Sequence, residues 1–294
     1  MEKPTFLAPY IHKDIYFVDR RIFEIREFKN IEIKSETNTY LYEAHYKTNL
    51  IKIFEMGNAL DTNVFHIFVF MLARLYFIDN GTSDVFFYYP KSDNYLIETA
   101  FKLLDKRFKR LTTKYDNYEY IELPGCKWYY DSVGDDWLYP YLKDLYKPIW
   151  ADVKMEKGKR IYISRAEAKV RKVSNEDALV EPLKILGFSI YNLEHMSFND
   201  QIKLFASAEL ITGPHGAGLT WTLFANTEAT LLEINLIRTA QDGGLGKNHY
   251  SDLANKMNIR YYRFTECVVE NNNFNVNIPV YINTLKELIN SKQS

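Results

Sequence analysis

Strand-like and helix-like segments of ordinary length alternate along this chain, and they predict an α/β protein with a parallel sheet covered by helices on both faces. Three observations carry that reading. Short apolar runs recur between amphipathic stretches, with Gly or Pro closing many of them. The second half keeps the pattern with little interruption. A glycine-rich turn, Ile211-Thr212-Gly213-Pro214-His215-Gly216-Ala217-Gly218-Leu219, joins an apolar strand to a helical segment. The length, 294 residues, suits two medium domains. The charged stretch Lys154–Arg160 sets the boundary near Pro148, so residues 1–148 and 149–294 are read as two α/β domains.

In the first domain, short alternating pieces lie near Ile15–Val18, Ile22–Ile25 and Ile31–Ile33, followed by a strand at Leu50–Phe54. After Gly57, Asp61 or Thr62 can cap a helix through the apolar run Val64–Ile78, which reads as buried and closes before Gly81. A strand at Asp84–Tyr89 ends at Pro90, a helix spans about Asn94–Lys106, and a strand near Tyr120–Leu123 precedes Pro124-Gly125. In the second domain the strands are Arg160–Ser164, Phe188–Tyr191, Leu210-Ile211 and Ala229–Ile234. Ser174 is the expected cap of a helix that runs to Leu186, with Asn175-Glu176-Asp177 opening it and Pro182 kinking it. Ser197 caps the next helix, a short one follows at Leu219–Ala225, and a last helical pattern covers Tyr281–Asn290.

Composition excludes several classes. Lys+Arg of 37 against Asp+Glu of 38 leaves no basic excess, so nucleic acid is not an expected partner. No apolar run reaches the ~20 residues a bilayer span needs. The opening Met1-Glu2-Lys3-Pro4-Thr5-Phe6 has no apolar leader, and Cys126 and Cys267 form no metal or disulfide pattern. A cytoplasmic protein of a bacterium or large virus is expected, or a shortened piece of a secretory-pathway enzyme. The 23 tyrosines and 19 phenylalanines give many packing rings, some able to stack on sugars.

The chemistry concentrates after two strands of the second domain. Gly213, Gly216 and Gly218 let the backbone approach a ligand closely, and His215 can donate to a phosphate or sugar oxygen. A structural corner is the alternative reading of the turn alone. The loop Ser164–Ser174 is basic, follows a strand and feeds a helix, so Arg165 or Arg171 can hold a diphosphate bidentately. In an open α/β sheet, ligands bind beyond the carboxyl ends of the strands, which puts this loop and the glycine turn on one edge. A solvated basic loop is the alternative here. The turn lacks the third glycine of GxGxxG and comes late in its domain, which argues against a dinucleotide enzyme.

The order Ile163-Ser164-Arg165, Arg171, Asn175-Glu176, Gly187-Phe188, Gln201, Gly213–Leu219 and Glu233-Ile234 resembles glycosyltransferase family 61, over roughly Ile161–Tyr262. That resemblance implies a GT-B-like pair of Rossmann-type domains facing a cleft, a UDP-sugar donor carrying xylose or GlcNAc, and inversion at the anomeric carbon. It implies donor contacts from Ser164, Arg165, Arg171, His215, the Gly216-Ala217-Gly218 backbone and Glu233, with Asn175, Glu176 and Leu219 in the same motifs. His249 and Tyr250 fall where the family carries polar residues near the donor. Two departures stand out: Trp221 where the family often has Asn, and Asn226-Thr227-Glu228 where it is usually Pro/Gly-rich.

An inverting transfer needs a base for the acceptor hydroxyl. Asn63-Val64-Phe65-His66 resembles the family's Asn-x-x-His helix start, but the acid common four residues later is replaced by Phe70. His66 is therefore the first base candidate and Asp61 the second, with a core histidine as the alternative for His66. No Asp-x-Asp occurs, so no metal or other cofactor is expected beyond the donor, although a divalent ion is compatible with a diphosphate. The expected function is transfer of a sugar from UDP to a hydroxyl of a glycan or glycoprotein. The alternative is an inactive nucleotide-sugar- or glycan-binding module of the same fold.

Overall fold

The computed structural model describes residues 51–56, 64–79, 85–116, 118–122, 128–129, 132–133, 136–236 and 248–292. The expected elements before residue 50, the cap at Asp61 or Thr62, Asn63, Gly57, Gly81, Pro124-Gly125 and Cys126 lie outside them. The chain divides into two compact units, Met1–Tyr146 and Lys147–Ser294.

The first unit carries β1 (Ile51–Glu55), α1 (Val64–His66), β2 (Val85–Tyr88), α2 (Tyr95–Leu104), β3 (Phe108–Leu111) and β4 (Tyr118–Glu122). A small antiparallel hairpin, β5 (Trp128–Tyr129) and β6 (Ser132–Val133), and α3 (Leu138–Leu145) complete it. The main sheet runs β3-β2-β1-β4, all parallel. α2 forms because Asn94 Oδ1 accepts from the Leu96 N–H and because Ile97, Ala100, Phe101 and Leu104 recur on one buried face.

The apolar run after α1 differs from the single buried helix expected. It continues as a π-helix over Ile67–Met71 and a 3-10 helix over Leu72–Phe77. The run is buried on nearly every side, so tertiary packing decides its winding. Arg74 Nε also takes the Phe70 carbonyl at 2.8 Å, a competitor for the ladder bond there.

The second unit opens with α4 (Lys147–Trp150) and continues β7 (Arg160–Ile163), α5 (Glu176–Ile185), β8 (Phe188–Tyr191), α6 (Phe198–Ser207) and β9 (Leu210–Pro214). A 3-10 helix at Ala217–Phe224 takes the place of the short helix expected from Leu219. Then follow β10 (Thr230–Ile234), α7 (His249–Lys256), β11 (Arg260–Phe264), the hairpin β12 (Cys267–Glu270)–β13 (Asn273–Val276), and α8 (Ile278–Asn290). The sheet order is β11-β10-β9-β7-β8, all parallel. Every residue of β9 and β10 is buried, as expected for central strands covered on both faces.

Ser174 does not cap α5: the helix starts at Glu176, and the Ser174 N–H donates to the Phe274 carbonyl. α5 runs through Pro182 as expected, and forfeits one ladder bond there. α8 begins at Ile278 and packs on its own unit's sheet, with Tyr281 and Leu285 fully buried beside Leu179, Leu183 and Leu232. Ser197 caps α6 as expected, its hydroxyl accepting from the Asp200 N–H. Among the described residues no helix is long and apolar enough to cross a membrane.

Candidate functional site

The sheet order of the second unit sets the site. β8 lies on one side of β7 and β9 on the other, so the chain reverses its winding between β7 and β9. A crevice opens at such a switch point, beyond the strand carboxyl ends. The two segments that leave there are Ser164-Arg165 and His215-Gly216. The structure therefore brings the basic loop and the glycine turn together.

The three glycines are required for close packing, not for left-handed backbone. A Cβ on Gly213 would fall 2.7 Å from the Ile163 carbonyl oxygen, and one on Gly218 would fall 3.0 Å from Leu193. A Cβ on Gly216 would collide with the guanidinium of Arg165, 2.6 Å from its Cζ. Gly216 thus makes the space in which Arg165 lies. Ala217 and Leu219 continue the turn, Leu219 buried.

Arg165 donates from Nη2 to the Val170 carbonyl at 3.1 Å, while its Nε is buried with no hydrogen-bond partner among the described residues. Burial, and then the charge of Arg171, pull its pKa below the usual guanidinium value. Among the described residues no carboxylate lies within ion-pair distance of either arginine. Two neighbouring cations with no ion-paired carboxylate among the described residues favour an anion between them. Arg171 also has φ +59°, a left-handed conformation that costs a non-glycine residue about 1–2 kcal/mol.

Ser164, Asn175 and Glu176 support this loop from inside. Glu176 is buried and accepts from the Tyr162 hydroxyl and the Ser164 hydroxyl, both at 2.7 Å. Burial and the Glu176 charge push the Tyr162 pKa well up, so the phenol stays a donor. Ser164 Oγ in turn accepts from the Ala166 N–H at 3.1 Å. The Asn175 amide donates to the Val276 carbonyl and accepts from the Val276 N–H. Gln201, a further motif residue, donates to the Leu193 and Met196 carbonyls.

His215 sits at the end of β9, buried, and its Nδ1 is 2.5 Å from Glu233 Oε1. Glu233, on β10, is fully buried and both its oxygens are engaged: Oε2 accepts from the Tyr261 hydroxyl at 2.5 Å, and Asn235 Nδ2 reaches Oε1 at 3.2 Å. Arg263 Nε donates to the Tyr261 oxygen at 3.0 Å. Burial and the Glu233 charge push the Tyr261 pKa upward, keeping that phenol protonated. With Glu233 on Nδ1, the imidazole is oriented and Nε2 is the nitrogen left to meet a ligand. Glu233 thereby holds His215 in place.

Tyr250 closes the turn by donating its hydroxyl to the Gly216 carbonyl at 2.6 Å, and burial drives its pKa up. Its ring lies 5.3 Å from that of His215, and the His249 ring lies 6.3 Å away. Both residues lie in the first turn of α7. Trp221 is buried edge-on against Phe198, so this departure from the family pattern is a core residue.

In the first unit, His66 ends α1 and its ring lies 5.3 Å from the Phe70 ring, with Phe65 at 6.2 Å. Asp61, the second base candidate, lies outside the described residues.

A model of the family described as Glycosyltransferase 61 matches residues 1–232 of the 294. The chain belongs to the glycosyltransferase 61 family. That match reaches further toward the N-terminus than the motif resemblance and stops one residue before Glu233. Among curated proteins, the chain is similar to the EGF domain-specific O-linked N-acetylglucosamine transferase of Drosophila melanogaster, 33% identical over 103 residues. That stretch is 34% of this chain and 18% of the fly protein. It is also similar to the enzyme of the same name from Mus musculus, 31% identical over 107 residues, or 35% of this chain and 19% of the mouse protein. The matched stretch therefore spans under a fifth of each relative's length.

Within this family member, three features of the site escaped the sequence reading: Tyr261, Arg263 and the β12–β13 hairpin. Tyr261 is one residue in an alternating strand, and only register places it, across from Leu231 and beside Glu233. The Asn271-Asn272 pair, between Val268-Val269 and the alternating Asn273-Phe274-Asn275-Val276, is a readable hairpin signal.

Proposed function

We propose that this chain is a glycosyltransferase that moves a sugar from a UDP-sugar to a hydroxyl of a glycan or glycoprotein, with inversion. In this reading the second unit holds the donor and the first takes the acceptor, as in a GT-B-like enzyme. The observation that carries it is the pair of arginines, Arg165 and Arg171, with no ion-paired carboxylate among the described residues, beside the glycine turn at the β7/β9 switch point. Guanidinium groups match a diphosphate in charge and in bidentate geometry. They also stabilise the negative charge that builds on the leaving group, which makes a bound metal unnecessary for that task. His215 Nε2, steadied through Nδ1 by Glu233, supplies a further contact to a phosphate or sugar oxygen. The names of the two relatives favour GlcNAc over xylose as the transferred sugar.

His66 is the proposed base on the acceptor side. A second reading, a donor-binding module without turnover, is favoured by Phe70, whose ring packs on His66 where the family commonly has an acid. The test is calorimetric titration of UDP, UDP-GlcNAc and UDP-xylose, followed by an assay of UDP release with sugar acceptors. Micromolar binding with turnover supports the transferase, and binding without turnover across acceptors supports the module.

A further inference from the structure

We infer that the β12–β13 hairpin is a clamp that sets Arg171 for the donor diphosphate, with Asn273 as a positioning residue; the inference rests on the phosphate site proposed above. Arg171 is a bulky residue in left-handed backbone, a conformation that persists only where the surroundings over-determine it. The hairpin does so residue by residue. The Arg171 N–H donates to the Asn272 carbonyl at 2.7 Å, and the Lys172 N–H donates to Asn273 Oδ1 at 3.0 Å. The Phe274 N–H donates to the Lys172 carbonyl, and the Ser174 N–H donates to the Phe274 carbonyl, each at 2.7 Å. Val173 and Phe274 pair as a parallel bridge, and the Asn175 amide closes the strap on Val276.

The clamp is itself rigid. Asn271 and Asn272 both have positive φ, the pattern of a tight two-residue hairpin turn. Phe274 and Val276 anchor its far strand in the core. The hairpin begins at Cys267, beyond residue 232 where the family match ends, so this chain supplies its arginine support from outside the matched stretch. The bonds run to the loop backbone and leave the Arg171 guanidinium, the group a diphosphate would meet, with no bond to the hairpin.

The test is a double-mutant comparison of UDP affinity by calorimetry, with melting temperatures measured alongside. Asn273→Ala removes the acceptor for Lys172, and Asn273→Ser returns a shorter one. We expect Asn273→Ala to weaken UDP binding roughly tenfold and Asn273→Ser to recover most of it. In an Arg171→Ala background, Asn273→Ala should change UDP affinity less than about twofold, because the two residues act as one unit. Asn272→Ala, which strains the left-handed turn position without removing a backbone hydrogen bond, should shift affinity in the same direction by less, and it stands in if Asn273→Ala does not fold. Equal weakening in both backgrounds, or no weakening where Arg171→Ala alone weakens binding, overturns the clamp. If Arg171→Ala itself leaves UDP affinity unchanged, the phosphate site fails first and the clamp falls with it.

Discussion

The crevice of the second unit and the helical run after α1 in the first are built on opposite principles. In the crevice almost every polar group has a fixed partner: Glu233 holds His215 and Tyr261, Glu176 holds Ser164 and Tyr162, and Tyr250 holds the Gly216 carbonyl. What is left over is positive charge on Arg165 and Arg171 and one imidazole nitrogen. Around His66 the ring neighbours are apolar, and the helix winds through α, π and 3-10 turns. In the proposed reading the first arrangement is pre-organised for the donor diphosphate, and the second sets the His66 ring beside Phe70 to meet the acceptor.

The largest effect should come from the crevice. Arg165→Ala and Arg171→Ala should each weaken UDP binding by about 1.5–3 kcal/mol, roughly ten- to a hundredfold, in a titration at low salt. Wild-type affinity in both would erase the distinction between the two regions. His66→Ala should leave UDP affinity intact and lower turnover by roughly 10²-fold, measured as UDP release with acceptor present. Full activity would make His66 a packing residue and move the search for the base elsewhere.

Glu233→Gln probes the support beneath His215. The substitution removes charge from a buried acceptor of two close hydrogen bonds, so unfolding stability should fall by about 1–3 kcal/mol in a denaturant series. UDP affinity should weaken too, as His215 loses its orientation; an unchanged affinity would separate Glu233 from the site.

The smallest effect concerns Lys143, whose pKa burial pulls down to about 8. Between about 8 and 10.5 the folded chain binds fewer protons there than the unfolded one, so this group makes stability rise with pH across that window. Lys143→Met should remove that rise, measured as a flatter dependence of unfolding free energy on pH between about 8 and 10.5. A rise that persists unchanged in the variant would assign it to another group.

Much of this was readable in the chain, for identifiable reasons. Period and punctuation placed β7, β8, α6 and β10 to within a residue or so, because Ser197 and the apolar strands signal locally. The pairing of Arg165 with the glycine turn followed from the rule that ligands sit at strand carboxyl ends. The roles inside the site were harder. Nothing local distinguishes a Glu233 that touches a donor from one that holds His215, since the difference is register between β9, β10 and β11. Ser174 looked like a helix cap because the sequence does not announce that Phe274, a hundred residues on, competes for its backbone. The π and 3-10 windings after His66 were invisible for the same reason, set by tertiary packing around an all-apolar run.

The most direct measurement is a titration of UDP into the protein with and without EDTA, repeated on the Arg165→Ala, Arg171→Ala double variant. Micromolar binding that survives EDTA and disappears in the double variant is the predicted result. No binding, or binding that the double variant retains, would contradict a diphosphate site built from these two arginines.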